Sequence, residues 1–165
     1  MSSHEILWTP WRAKWVGDMS TSDKSCPFCR PASEEPSIAN LIVHRTASGL
    51  VVMNLYPYSG GHLMVVPVRH VPRLRDLDAS ERADLLELLV RAQDVLERTH
   101  HPQGFNIGIN EGKIAGAGIA EHMHWHIVPR WEGDASFLTT VAGTRIVPED
   151  IASCWTRVRE AFESV

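Results

Sequence analysis

His122-Met123-His124-Trp125-His126-Ile127-Val128-Pro129 decides how this chain is read. Successive side chains of an extended strand point to opposite faces, so the stretch sets its three histidines on one side and Met123, Trp125 and Ile127 on the other. The apolar set makes ordinary core. The imidazole set does not, because each ring carries two polar nitrogens that need partners. Two chemistries use such a row. Alternate histidines ligate a catalytic metal that activates water, or one imidazole is a nucleophile whose neighbours fix its tautomer and stabilise charge. The stretch alone leaves both open.

Outward from it, Phe105 to Asn110 alternates Phe105, Ile107 and Ile109 against Asn106, Gly108 and Asn110, the pattern of a further strand. A small-residue loop, Gly112 to Gly118, separates the two strands. Before them, Asp78 and Glu81 form a capping box that opens a helix over Ala79 to Thr99. Its Leu85, Leu88, Leu89, Ala92 and Leu96 recur at helical spacing and face the sheet. Earlier still, Leu41 to Arg45, Leu50 to Met53 and His62 to Pro67 read as strands, the last two joined by the turn-forming Tyr56-Pro57-Tyr58-Ser59-Gly60-Gly61. Pro148-Glu149-Asp150 opens a final helix that runs to about Phe162. Trp8, Trp11 and Trp15, spaced by three and four beside Pro10, suit one face of a short helix in an arm packed on the domain or on a partner. The pattern is one α+β domain over residues 1–165 with a mainly antiparallel sheet, an N-terminal Trp-rich arm at 1–25 and a C-terminal tail at 132–165.

Composition narrows the function. With 165 residues, 44% apolar and 22% charged, the chain has the balance of a globular domain rather than a disordered one. A formal charge of -4 gives no broad electrostatic footprint for duplex nucleic acid. No apolar run approaches the ~20 residues of a membrane helix, and Met1 to Ile6 lacks a signal design, so a cytoplasmic protein is expected. Three cysteines, an odd number, do not make a secreted disulfide framework. Cys26 and Cys29 have the two-residue spacing that lets both thiolates grip one ion; alone they are half a zinc site or a redox pair. Cys154, in the last helix, reads as a small buried residue.

The histidine stretch resembles the His-x-His-x-His signature of the histidine triad superfamily of nucleotide hydrolases and transferases. Asn54-Leu55-Tyr56-Pro57-Tyr58 with Gly61-His62-Leu63-Met64-Val65-Val66-Pro67 is similar to that superfamily's ribose-binding hairpin. Leu7-Trp8-Thr9-Pro10-Trp11, Gly104 to Asn110, Ala115 to His122 and Pro129-Arg130-Trp131 resemble its bacterial diadenosine tetraphosphate phosphorylase-like branch. The likeness runs from about Leu7 to Phe162. It implies a five-stranded sheet with a long helix and a C-terminal helix, two copies pairing as a homodimer. His124 would attack the α-phosphate of a nucleotide and carry it covalently, and His126 would contact the phosphate oxygens. Asn54 would hold the ribose, His62 would support the triad from the adjacent strand, and Asn110 would contact a phosphate. Leu55, Gly116, Gly118 and Trp131 complete the implied substrate contacts. Zinc-bearing members suggest that His70 and His122 join Cys26 and Cys29 around a structural zinc.

One departure stands out. Many members carry Gln, Ser or Thr three or four residues before the first triad histidine, where this chain has Gly118 and Ile119, neither with a side-chain donor. The expected substrate is a dinucleoside polyphosphate such as diadenosine tetraphosphate, with inorganic phosphate or water as acceptor. The competing readings are a nucleotide-sensing protein of low turnover and a hydrolase of another nucleotidylated small molecule.

Overall fold

Gly49–Met53 (β2) and Leu63–Pro67 (β3) are buried along their whole length, which is why both read as continuous apolar runs rather than as alternating ones. They form the middle of a five-stranded antiparallel sheet with Ile42–Arg45 (β1), Gly104–Ile109 (β4) and Trp125–Arg130 (β5), in the order β1-β2-β3-β5-β4. The computed structural model describes residues 26–29, 31–134 and 149–164. The expected arm helix at Trp8 to Trp15 lies outside them.

Among the described residues, both α-helices lie on one face of the sheet. Ala79–His100 (α1) starts at the expected capping box, with the Asp78 side chain accepting from the Glu81 backbone and Glu81 reciprocating. It buries Leu85, Leu88, Leu89, Ala92, Val95 and Leu96 against Val51, Met53, Leu63 and Val65. Gly49 permits the close approach: a Cβ there would lie 2.6 Å from Leu85 Cδ2 and 2.9 Å from Leu88 Cδ2. Ile151–Glu163 (α2) buries Cys154, Val158 and Phe162 in the same core. Trp155 and Arg159 donate to the carbonyls of Ile42 and Val43, tying α2 to the outer strand β1.

Three sequence expectations are corrected. The histidine strand, expected from His122, begins at Trp125. The register Val65↔Trp125 would place Met123 opposite Pro67, which has no N–H to give, and Met123 bonds instead to Val71 O at 2.8 Å. The final helix begins at Ile151 with Asp150 as its cap, accepting from Ala152 and Ser153, so Pro148 does not open it. Ile107, expected to be covered with Phe105 and Ile109, is 40% exposed on β4, the last strand of the sheet.

The alternation itself survives. Met123, Trp125 and Ile127 join the helix-side core, while Phe28, Ile42, Leu50, Val52, Met64 and Val66 form a second apolar cluster on the opposite face. That second face carries the site.

Candidate functional site

A cavity of about 350 Å³ opens on the face opposite α1 and α2. Its floor is apolar, from Leu50, Val52 and Met64 of β2 and β3, and its polar groups are few, as in small-molecule sites generally. Asn54, Leu55, Asn110, Gly116, Gly118, His124 and His126 all line it. His62 lies behind His126 and reaches it directly. Trp131 stands apart: its indole N–H donates to the His100 and His101 carbonyls at the end of α1.

The ring nitrogens can be assigned from their partners. His124 Nδ1 lies 2.9 Å from the His122 carbonyl, which only accepts, so Nδ1 carries the proton and Nε2 the lone pair. Burial pushes the His124 pKa down, against a smaller opposing effect from that hydrogen bond, so the ring is neutral at physiological pH. A neutral imidazole with a fixed lone pair is a nucleophile in waiting.

A second chain of bonds fixes His126. The Tyr58 backbone N–H donates to His62 Nδ1 at 3.1 Å, so His62 holds its proton on Nε2. That proton faces His126 Nδ1 at 3.0 Å. A neutral His126 receiving it carries its own proton on Nε2, and the ring becomes a hydrogen-bond donor toward negative oxygen. Tyr58 stacks on His62 with centroids 4.9 Å apart and planes 27° from parallel, packing against the first ring of the relay. Asn54 is oriented by its Oδ1, which accepts from the Tyr56 N–H at 2.9 Å and leaves Nδ2 as a donor.

The third group is Cys26, Cys29, His70 and His122, whose ligand atoms all lie within 4.8 Å of one another. Cys26 Sγ is 3.2 Å and Cys29 Sγ 3.5 Å from His122 Nδ1, and Cys29 Sγ is 3.1 Å from His70 Nδ1. His122 Nε2 donates to Pro67 O at 2.9 Å, which turns the Nδ1 lone pair toward the sulfurs. Two sulfurs and two imidazole nitrogens at this spacing are the donor set and the size of a closed tetrahedral zinc site. Burial and the neighbouring Cys26 raise the Cys29 thiol to about 11.

Sequence reasoning left two aromatic contacts unassigned. Phe28, between the cysteines, places its ring 5.2 Å from His124 and 5.5 Å from His122, closing the gap between the sulfur cluster and the cavity. Its signal was an apolar residue inside a metal-type knuckle. Tyr58 read only as turn, and nothing local in the sequence sets it against His62.

The family model for the HIT domain matches residues 35–133. The AP-4-A phosphorylase of Mycobacterium tuberculosis is 40% identical over 149 residues, covering 87% of this chain and 76% of its own length. The asymmetrical bis(5'-nucleosyl)-tetraphosphatase of Schizosaccharomyces pombe is 38% identical over 99 residues, 60% of this chain and 54% of its own. Among solved structures, a zinc-bound histidine triad family protein from Mycobacterium smegmatis superposes with a TM-score of 0.68 at 29% identity, covering 85% of this chain and 94% of its own.

Proposed function

Because the chain belongs to the HIT domain family, we propose that it cleaves dinucleoside polyphosphates through a covalent nucleotidyl intermediate on His124. The observation that carries this reading is the His124 Nδ1–H bond to the His122 carbonyl, which leaves Nε2 as the reacting lone pair. His124 Nε2 attacks the α-phosphorus of one nucleoside; an N–P bond forms as the bridging P–O bond breaks, and the rest of the bridge departs with its nucleoside. An acceptor oxygen then attacks the same phosphorus, the N–P bond breaks, and the imidazole is restored. His126, held as an Nε2–H donor by His62, stabilises the negative oxygens that crowd at phosphorus in both steps. Asn54 Nδ2 donates to the ribose, and the apolar floor takes the base, adenine being the natural first choice.

Inorganic phosphate is the acceptor we propose, supported by the 40% identity to an enzyme named AP-4-A phosphorylase over most of both chains. The departure at Gly118 and Ile119 makes the acceptor the point to measure. Incubation with diadenosine tetraphosphate and phosphate should yield ADP and ATP, separated by chromatography. AMP in place of ADP identifies water as acceptor, and no cleavage under either condition refutes the dinucleoside polyphosphate reading in favour of a nucleotide sensor or a hydrolase of another nucleotidylated small molecule.

Two further readings belong here. Cys26, Cys29, His70 and His122 would hold zinc, and four protein ligands leave no open position, so the ion would tie the knuckle to the triad rather than activate water. The zinc named in the Mycobacterium smegmatis structure supports this reading. A homodimer through β4 would cover Ile107 and the free edge of that strand. Light scattering at twice the chain mass would support it, and an active monomer would refute it.

A further inference from the structure

The bridge between two nucleosides carries several negative charges, yet no lysine or arginine lines the cavity among the described residues. Its polar side chains are Asn40, Asn54, Asn110, two tyrosines and two histidines. His126 answers one phosphate. The phosphates beyond it have no side-chain donor from Gly118 or Ile119, and leaving an anion without a partner at a partly dry surface is costly. Among the described residues, a compensating cation is found only outside the lining, at the rim.

The loop between β4 and β5 supplies one. Asn110, Gly116 and Gly118 line the cavity, and between them Lys113–Ala115 makes one turn of 3-10 helix, closed by the Gly116 N–H donating to Lys113 O at 3.0 Å. Lys113 is therefore one turn from a cavity-lining residue, on a flexible four-carbon stem. It is the one lysine among the described residues, it is exposed, and it makes no ion pair with another of them. Glu111, its close carboxylate neighbour in sequence, accepts instead from the Leu74 N–H at 3.5 Å. Gly112 and Gly116 both hold positive φ, 89° and 90°, and nothing lies within 4 Å of a Cβ built on Gly112, so the turn that carries Lys113 is uncrowded at its start.

We propose that Lys113 is a specificity-determining residue that binds the distal, non-transferred phosphates of the substrate and stabilises the departing nucleoside polyphosphate. This rests on the dinucleoside polyphosphate reading above. The test measures kcat and KM for diadenosine tetraphosphate, and the inhibition constant of AMP, in wild type, Lys113→Ala and Lys113→Arg. AMP shares the transferred half of the substrate and lacks the distal phosphates. Lys113→Ala should lower kcat/KM about 10- to 100-fold, the worth of one charge-assisted hydrogen bond. The AMP constant should stay within about twofold, Lys113→Arg should restore most of the loss, and added salt should depress wild type more than the alanine variant. Equal weakening toward AMP, or an alanine variant as active as wild type, overturns the Lys113 assignment alone. Wild-type protein that binds AMP and does not cleave the tetraphosphate overturns the underlying reading, and Lys113's role with it.

Discussion

His62→Leu breaks the relay behind His126 and also removes the ring that lies 3.4 Å from Asn54 Nδ2. His62 is fully buried and bonded on both ring nitrogens, accepting from Tyr58 N–H at 3.1 Å and donating to His126 Nδ1 at 3.0 Å. Leucine fills much of the space and supplies neither bond. A buried N–H deprived of its acceptor costs roughly 1–3 kcal/mol, and in a chain of this length each kcal/mol lowers Tm by about 2–4 °C. The larger effect should fall on turnover. Without the His62 proton, His126 no longer has its tautomer imposed, and its Nε2–H is present only part of the time. Losing one preorganised donor to a developing oxyanion costs about 10²–10³ in kcat, or about 2.7–4 kcal/mol at 1.36 kcal/mol per decade. Steady-state cleavage of diadenosine tetraphosphate, normalised to folded protein and paired with a thermal melt, separates the two effects. A variant that melts lower and keeps kcat within about threefold of wild type would refute the relay.

His124→Asn should abolish turnover while AMP still binds, and a phosphoramidate trapped on wild type should map to residue 124 by mass spectrometry. Cys26→Ala should lower zinc content from about one per chain and reduce Tm, with activity per folded molecule retained; chelation that stops catalysis at unchanged Tm would contradict a structural ion. Gly49→Ala drives a methyl into Leu85 and Leu88 and should cost about 1–3 kcal/mol in urea unfolding, with no change in KM. Burial, with Arg91 and Arg159 alongside, holds the His44 pKa down where its ring stacks on Phe162. The unfolded chain takes up a proton near the ordinary 6.5 that the native state resists, so stability should be full above that pH and fall as pH drops below it. His44→Gln should flatten that part of the profile in urea melts taken at successive pH values.

Much of this was legible in the sequence because local rules agreed with the fold. Asp78 and Glu81 announce the start of α1, and the spacing of Leu85, Leu88 and Leu89 announces its buried face. The alternation from His122 to Ile127 separates core from site even where strand pairing has stopped. The failures come from partners distant in the chain. Nothing near residue 122 says that Pro67 lies across from Met123 and cuts the ladder short. The His62–His126 bond spans 64 residues of sequence and exists only once β3 pairs with β5. Cys26 and Cys29 alone admit two chemistries, and nothing near them in sequence says that the fold brings His70 and His122 to the same point. The end of α1 follows a rule with an unusual residue: His101 takes the left-handed conformation, φ 48°, that glycine usually fills.

His122 serves two masters with different atoms. Its imidazole faces the sulfur pair, while its backbone oxygen sets the proton on His124 Nδ1. Every amino acid owns a backbone oxygen, so the reaction's alignment places no demand on which residue occupies position 122. Descendants of this chain are therefore at liberty to shed the cysteines, and then the imidazole itself, without re-inventing His124. The opposite route is equally short, since side chains need only gather around a place the backbone already holds. On the proposed mechanism and the proposed zinc site, metal binding and turnover would be heritable as separate traits, despite meeting in one residue.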